Sequence, residues 1–167
     1  MNKLSGKSPR SKLRKRPSGL LRFALRVPIW LYRLHLGWLL GQRFLLLTHV
    51  GRNSGQTRQT VIEVVKHDEQ SDSYFVVSGW GKKADWYRNI HKNPDVVITV
   101  GRRKLQVRAE DVPLPEAIDI LEEYARRYPL AFKELTGLFL GERLQPDRDS
   151  SQRLAESLPM IAFRLRP

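Results

Sequence analysis

Cysteine is absent from this chain of 167 residues, which excludes disulfides, thiolate metal sites and cysteine nucleophiles. Histidine is sparse, and His35, His49, His67 and His91 are too scattered for a metal spacing such as H-E-x-x-H. No uncharged run approaches the roughly 18–20 residues that a bilayer span requires. The most apolar stretch, "GLLRFALRVPIWLYRLHLGWLLG" over residues 19–41, is broken by Arg22, Arg26 and Arg33. No small-residue cleavage site follows it, so it does not read as a signal peptide. The Walker pattern is missing, because Gly51 is not followed by Gly-Lys at the required distance. "GRNSG" is not G-x-S-x-G, and no serine, histidine and acid stand in a recognisable order. Without a metal, a thiol or a triad, any chemistry must come from an organic cofactor.

Acid is missing altogether from residues 1–26, which hold nine Lys or Arg. The whole chain carries a formal charge of +13, and such an excess calls for an anionic partner: nucleic acid, an acidic membrane surface or a polyanionic small molecule. Residues 1–18 have the composition of a disordered basic arm. Residues 19–41 read as an amphipathic helical segment restarted at Pro28, with Arg22, Arg26 and Arg33 on one face. That segment either packs on the folded domain with its arginines in water, or lies on an anionic membrane assisted by the arm. No aromatic residue precedes Phe23, so the arm lacks the stacking side chains of a nucleic-acid module, and no nucleic acid is expected.

Residues 42–167 have the length and composition of one folded domain. "FLLLTH" (44–49), "TVIEVVK" (60–66) and "YFVVS" (74–78) read as strands, with "HDEQSDS" as a solvent turn. "ADWYRNIHKN" (84–93) reads as a helix stopped at Asn93-Pro94. "VVITV" (96–100) and "KLQVRAEDV" (104–112) form a hairpin with Leu105, Val107 and Ala109 on one face. Pro115 opens an amphipathic helix in which Ala117, Ile118, Leu121, Tyr124, Ala125 and Tyr128 recur at helical spacing. "LAFKELTGLFL" suggests a second short helix, and "PMIAFRLR" (159–166) a final strand opened by its proline. About six strands with one inserted helix predict a small antiparallel barrel with helices outside it.

Two stretches are unlike ordinary connections. "THVGRNSGQTRQT" (48–60) separates two apolar strands with donors, arginines and glycines. "GWGKKA" (79–84) matches G-x-G-x-x-A between a strand and a helix, but the repeated strand–helix units of a dinucleotide fold do not follow. Its glycines instead suit a close backbone approach or a tight turn.

"LTHVGRNSGQTRQTVIEVV" followed by "VVSGWGKKADWYRNIHKNPDVVITVG" resembles the deazaflavin-dependent nitroreductase family. The resemblance spans roughly residues 41–112 through G-R-[KN]-S-G-x-x-R, the small-residue strand end, and the W-Y-x-N-[IL] run before N-P. It implies an α+β split β-barrel of the FMN-binding kind and the reduced coenzyme F-420 as hydride donor. Flavin mononucleotide is the lesser alternative. The coenzyme's phosphodiester and oligoglutamate tail make it a polyanion, which accords with the charge. By the resemblance, Arg52, Asn53, Ser54 and Arg58 hold the anionic part, with the amides around Gly51 and Gly55 completing an anion-binding concavity. Gln59, Thr60 and Val61 continue the coenzyme-binding set along the second strand. Ser78, Gly79 and Gly81 let backbone close on the flat ring, and Trp86 and Tyr87 wall it. Lys82 and Lys83 extend the positive surface towards the tail, and Val77, Asp85 and Asn89 complete the set. Trp80 and Tyr128 are the candidate contacts to the acceptor. No side chain is assigned a catalytic role and no metal is implied. Taken singly, exposed loop arginines are ordinarily solvated, and a tryptophan opening a helix is ordinarily a core anchor.

Asn53 replaces the lysine of many relatives, which keeps a donor but removes a charge. Tyr128-Pro129 is followed by Ala131 and Glu134 rather than further tyrosines, which puts nitroimidazole reduction in doubt. The expected activity is hydride transfer to a quinone, enone or nitro compound, by a cytoplasmic monomer or homodimer that residues 1–40 bring to the inner face of the membrane. The alternatives are a flavin mononucleotide protein on the same barrel and a non-catalytic basic module.

Overall fold

A computed structural model describes residues 43–166; the basic arm and the amphipathic segment read from the sequence lie outside them. The described residues form six strands and four helices, beginning with β1 (Phe44–Val50), β2 (Thr57–Asp68) and β3 (Ser73–Val77). A 3-10 turn (Gly81–Lys83) leads into α1 (Asp85–Lys92), then β4 (Asp95–Val100) and β5 (Arg103–Asp111). α2 (Leu114–Arg127), α3 (Pro129–Phe139), α4 (Arg148–Ser157) and β6 (Met160–Leu165) complete the order. All pairings are antiparallel, and the sheet closes as β1-β2-β3-β6-β5-β4, with β4 returning to β1. Closure removes the free edges that an open antiparallel sheet would expose. This is the split barrel that the resemblance implied.

β2 explains how one strand serves two neighbours. Thr57–Glu63 pair with β1, whereas Val64, Lys66 and the residues after them pair with β3. Val65 faces away from Val64 by ordinary alternation, and the register shift between Val64 and Lys66 sets Lys66 opposite Phe75, on the same outer side. Ile62 and Val64 therefore belong to the barrel interior, with Leu45, Leu47, Ile98, Val107 and Phe163. Val65 joins Phe75, Met160 and Ala162 in a second, outer core under the helices. Ile120, Leu121, Tyr124, Phe132 and Leu154 supply the helical side of that layer. Strands such as β3 and β6 are buried on both faces, which is why "YFVV" and "MIAF" read as unbroken apolar runs rather than alternating ones.

α1 lies against the barrel core through Ala84, Tyr87 and Ile90, with Trp86 packed beside them. One helix was not anticipated. α4 carries only Leu154 and Ala155 as buried apolar side chains, and its start is fixed by Asp147, whose carboxylate accepts from the Ser150 N–H at 2.8 Å. That N-cap was the available signal. Tyr128 also departs from the anticipated pattern: it follows the last turn of α2 and is 45% exposed.

Candidate functional site

The connection between β1 and β2 is shorter than its polar character suggested. β2 already begins at Thr57, so only Gly51–Gln56 form the loop. The loop is closed by its own backbone: the Gly51 N–H donates to Gln56 O and the Gly55 N–H to Gly51 O, each at 2.8 Å. Gly55 has φ +66°, a left-handed conformation that glycine adopts without cost. These two amides are therefore spent inside the loop, and the anion cradle expected around them must come from other donors.

Other donors are present. The N–H groups of Asn53 and Ser54 have no partner among the described residues. The Ser54 hydroxyl oxygen accepts from the Gln56 N–H at 3.3 Å, leaving its own proton to donate outward. Arg58 has no carboxylate partner among the described residues and folds over Gly51. A Cβ built on Gly51 would stand 2.7 Å from Ser54 Oγ and 3.3 Å from Arg58 Nε. Glycine is thus required for the serine hydroxyl and the guanidinium to converge there. Strand alternation puts Arg58 on the same face as Ile62 and Val64, at the end of the barrel interior.

Arg52 has a different position from the one its sequence context implied. Its guanidinium Nη2 pairs with Asp85 Oδ1 at 3.1 Å, and Nη1 donates to Asn89 Oδ1 at 3.0 Å and to Asp85 O at 3.4 Å. The Arg52 N–H also donates to Asn89 Oδ1 at 3.0 Å, and Lys92 Nζ donates to Arg52 O at 2.7 Å. Asn89, 3% exposed, completes the link by meeting His49 Nδ1 at 3.1 Å through Nδ2. Arg52 and Asn89 thus bind the loop to α1 rather than reaching outward, and Asp85 is already neutralised. Burial holds the His49 pKa below its ordinary value, and the nearby Arg58 charge acts in the same direction.

Tyr87 is a core residue. It is 6% exposed, and its hydroxyl donates to Asp111 Oδ1 at 3.1 Å; burial, and then the Asp111 charge, push its pKa up to about 12. Its ring is committed to the barrel core, and Trp86 packs on the same core. Among the other candidates, Gln59 is exposed and donates to Thr48 Oγ1 at 3.3 Å, while Thr60, Val61 and Val77 are half-buried.

The turn after β3 is also closed internally. Ser78 is buried, its hydroxyl donating to Gly81 O at 2.9 Å and its N–H to Pro159 O at 2.9 Å. The space beside Gly79 is filled: a Cβ there would fall 2.1 Å from the Phe139 ring. The glycine thus admits a side chain of α3, and Gly79→Val would collide with protein before any ligand. Trp80, 41% exposed, meets the same Phe139 ring edge-on at 5.8 Å. Lys82 and Lys83 are exposed and lack a carboxylate partner among the described residues.

A cleft of about 340 Å³ lies beside β2 and the end of α2, lined by Arg43, Val64, Lys66, Tyr124 and Tyr128 among others. Tyr128 stands 5.6 Å from the Tyr124 ring, with the Arg127 guanidinium 5.5 Å from its own centroid. The Tyr124 hydroxyl donates to Glu63 Oε1 at 2.9 Å, and Arg43 pairs with the same oxygen at 3.1 Å. The Tyr124 pKa is raised by burial and then by Glu63. Among the described residues no group of His, Asp or Glu could hold a metal ion, and no helix is long and apolar enough to cross a membrane.

A flexible polyanion fits the loop side of this arrangement. The Ser54 hydroxyl and the Arg58 guanidinium converge over Gly51. The Asn53 and Ser54 amides and that guanidinium have no partner among the described residues, and the Asp85 carboxylate is already bound by Arg52.

Comparisons with known proteins agree with that chemistry. A solved structure described as an F420-H2 dependent reductase is 20% identical, aligns with 74% of this chain and 96% of its own, and has a TM-score of 0.50. A structure described as a domain-swapped dimer is likewise 20% identical, with 82% and 99% covered at TM-score 0.50. A pyridoxamine 5'-phosphate oxidase-related, FMN binding protein from Nostoc punctiforme PCC 73102 is 13% identical, with 84% and 80% covered at TM-score 0.55. At these identities the likeness establishes the split-barrel fold. The model of the F420H(2)-dependent quinone reductase family matches residues 26–134, so the chain belongs to that family and is an oxidoreductase dependent on the reduced deazaflavin coenzyme.

Proposed function

We propose that the anionic part of the coenzyme binds at Arg58, Ser54 and the free amides of Asn53 and Ser54, with Lys82 and Lys83 extending the positive surface for the tail. The observation that supports this reading most directly is the Arg58 guanidinium, unpaired among the described residues and packed against Gly51 beside the Ser54 hydroxyl. The bound coenzyme supplies a hydride, so the protein needs no nucleophile of its own. Its side chains contribute alignment and the exclusion of water. Arg52 and Asn89 hold the loop on α1, so the donors keep their places when the anion arrives.

The acceptor in this reading is a quinone, with enones and nitro compounds as further electron-poor candidates. Trp80 would cover it from the Ser78–Gly81 turn, as an exposed indole steadied by Phe139. Tyr128 offers a second place for it, in the cleft beside Tyr124. The segment at residues 1–40 would bring the enzyme to an anionic membrane, a reading supported by its nine basic residues before position 27 and the absence of acid there. Co-sedimentation with anionic and neutral vesicles, for the full chain and for one starting at Gly41, tests it. Equal behaviour of the two chains would rule it out.

Titrating the purified protein with the oxidised deazaflavin and with flavin mononucleotide distinguishes the two coenzymes by their fluorescence. The deazaflavin is expected to bind, and more weakly at high salt because its contacts are ionic. Unchanged affinity in both Arg52→Ala and Arg58→Ala would place the anion elsewhere.

A further inference from the structure

We propose that His49 is a positioning residue for coenzyme binding, acting through the Asn89 amide on the Gly51–Gln56 loop. This rests on the placement of the anion at Arg58 and Ser54. His49 is 5% exposed, on the face of β1 that Leu45 and Leu47 turn into the barrel. An imidazole in that place is unnecessary for packing alone, since an apolar side chain would continue the pattern of "LLL".

The orientation of Asn89 is fixed by what surrounds it. Both the backbone N–H and the guanidinium Nη1 of Arg52 donate to its Oδ1, each at 3.0 Å. Two donors on one side oblige the amide oxygen to face Arg52 and the NH2 group to face His49. An NH2 group only donates, so His49 Nδ1, 3.1 Å away, has to be the unprotonated nitrogen, with the ring proton on Nε2. Three charged groups bear on this imidazole. Arg58 is its direct cross-strand partner on β2, Asp85 opens α1, and Arg52 lies beyond the amide. Burial, the largest influence, keeps the ring neutral and Arg58 acts in the same direction, against a hydrogen bond at the Val50 backbone and the Asp85 charge, which favour the charged form.

The consequence is a chain of forced orientations from the barrel interior to the loop. Neutral His49 fixes the amide, the amide holds residue 52 by two hydrogen bonds, and residue 52 anchors the loop that presents Ser54 beneath Arg58. A proton on Nδ1 would set two donors against each other. The amide would then turn, and both bonds to Arg52 would be lost. His49 thus governs affinity for the coenzyme without touching it.

The test compares His49→Leu, which removes the acceptor, with His49→Asn, whose Oδ1 falls where Nδ1 stood. Both are titrated as full chains with the oxidised deazaflavin, with thermal melting as the check on folding. His49→Leu should bind about tenfold more weakly, in keeping with the loss of a buried hydrogen-bond partner. His49→Asn should recover most of that loss. Nitrogen-15 NMR of the wild-type imidazole near neutral pH, independent of any variant, should show Nδ1 unprotonated. A protonated Nδ1 overturns the proposal, as does a His49→Asn variant that binds no better than His49→Leu. If His49→Leu binds like wild type while Arg58→Ala is weakened, the proposal fails and the anion site stands. If both bind like wild type, the anion site fails with it.

Discussion

Arg52 and Arg58 lie six positions apart in one polar stretch, yet the fold treats them oppositely. Arg52 is bound on every side by Asp85, Asn89 and a backbone carbonyl. Arg58 has no acid near enough to pair with among the described residues. The contrast extends across the barrel. On the β2–β3 and β4–β5 turns, Arg103 pairs with Asp72 at 2.5 Å, and His67 meets the same carboxylate at 2.9 Å. On α2 and α4, Arg148 bridges Asp119 and Glu122 at 3.1 and 2.7 Å. Around the β1–β2 loop and the turn before α1, Arg58, Lys82 and Lys83 are left without carboxylates among the described residues. A paired cation is largely spent on geometry and a bare one retains its field for an incoming anion. Being basic is therefore a weaker sign of function than being basic and unpaired.

The largest expected effect falls on the unpaired member. Arg58→Ala should weaken binding of the oxidised deazaflavin by about 1.5–3 kcal/mol, the range for a charge-assisted hydrogen bond. Its melting temperature should stay near wild type, because no hydrogen bond or ion pair among the described residues is lost. Arg52→Ala should do the reverse in proportion: about 1–2 kcal/mol of stability lost with its hydrogen bonds, and a smaller, indirect loss of affinity. If the two variants show the same ratio of affinity loss to stability loss, the distinction between them is void.

Gly79→Val separates a packing role from a ligand role in the neighbouring turn. The new side chain must displace the Phe139 ring, which a Cβ alone would approach to 2.1 Å. Overpacking of this kind costs about 1–3 kcal/mol, visible by thermal melting in the absence of coenzyme. Pairing it with Phe139→Ala should restore stability in part, whereas full additivity would mean that the two residues do not meet.

Acid sensitivity should differ between the two flanks. Asp72 is held at about 2, first by its hydrogen bond to Arg103, against an ordinary value of 3.8. Its contribution is complete above that ordinary value and disappears as pH falls through about 2. His49 loses stability in the same direction but in a higher pH window, since the fold favours its neutral form and lowers its pKa. As pH falls below its ordinary 6.5, the unfolded chain takes up a proton that the folded chain resists, and stability declines until folded His49 also titrates. Denaturant midpoints followed downward in pH should therefore begin to fall in the histidine window in wild type but not in His49→Asn.

The smallest effect belongs to the exposed pairs. Arg153 and Glu142 meet at 3.2 Å with more than half of each side chain in water, so Arg153→Ala should change stability by under about 0.5 kcal/mol. A larger loss would mean that the surface pairs hold the helices more firmly than their exposure allows.

Much of the barrel was legible. Runs such as "FLLL" and "YFVV" are too short for buried helices and end at turn residues, and the hairpin face of Leu105, Val107 and Ala109 packs on the barrel core as its alternation required. α4 was harder to see, because its polar composition gives a weak periodic signal and only the cap at Asp147 marks its start. Of the residues the motif named, Arg58 and Ser54 come together over Gly51. Arg52, Tyr87 and Asn89 turn inward instead, and His49, at the centre of their network, looked like one scattered histidine among four.

The sequence by itself determined the barrel, through short strands of fixed parity, and the polycationic character, through its excess of arginine and lysine. Which cations remain available was decided only by tertiary structure. Asp85 and Asn89 lie more than thirty positions from Arg52, and α1 has to dock on β1 before they can reach it. The same docking fixes the tautomer of His49, forty positions from Asn89. Local pattern governs backbone geometry because that depends on neighbours along the chain. Pairing and protonation depend on neighbours in space, and those exist only once the barrel has closed.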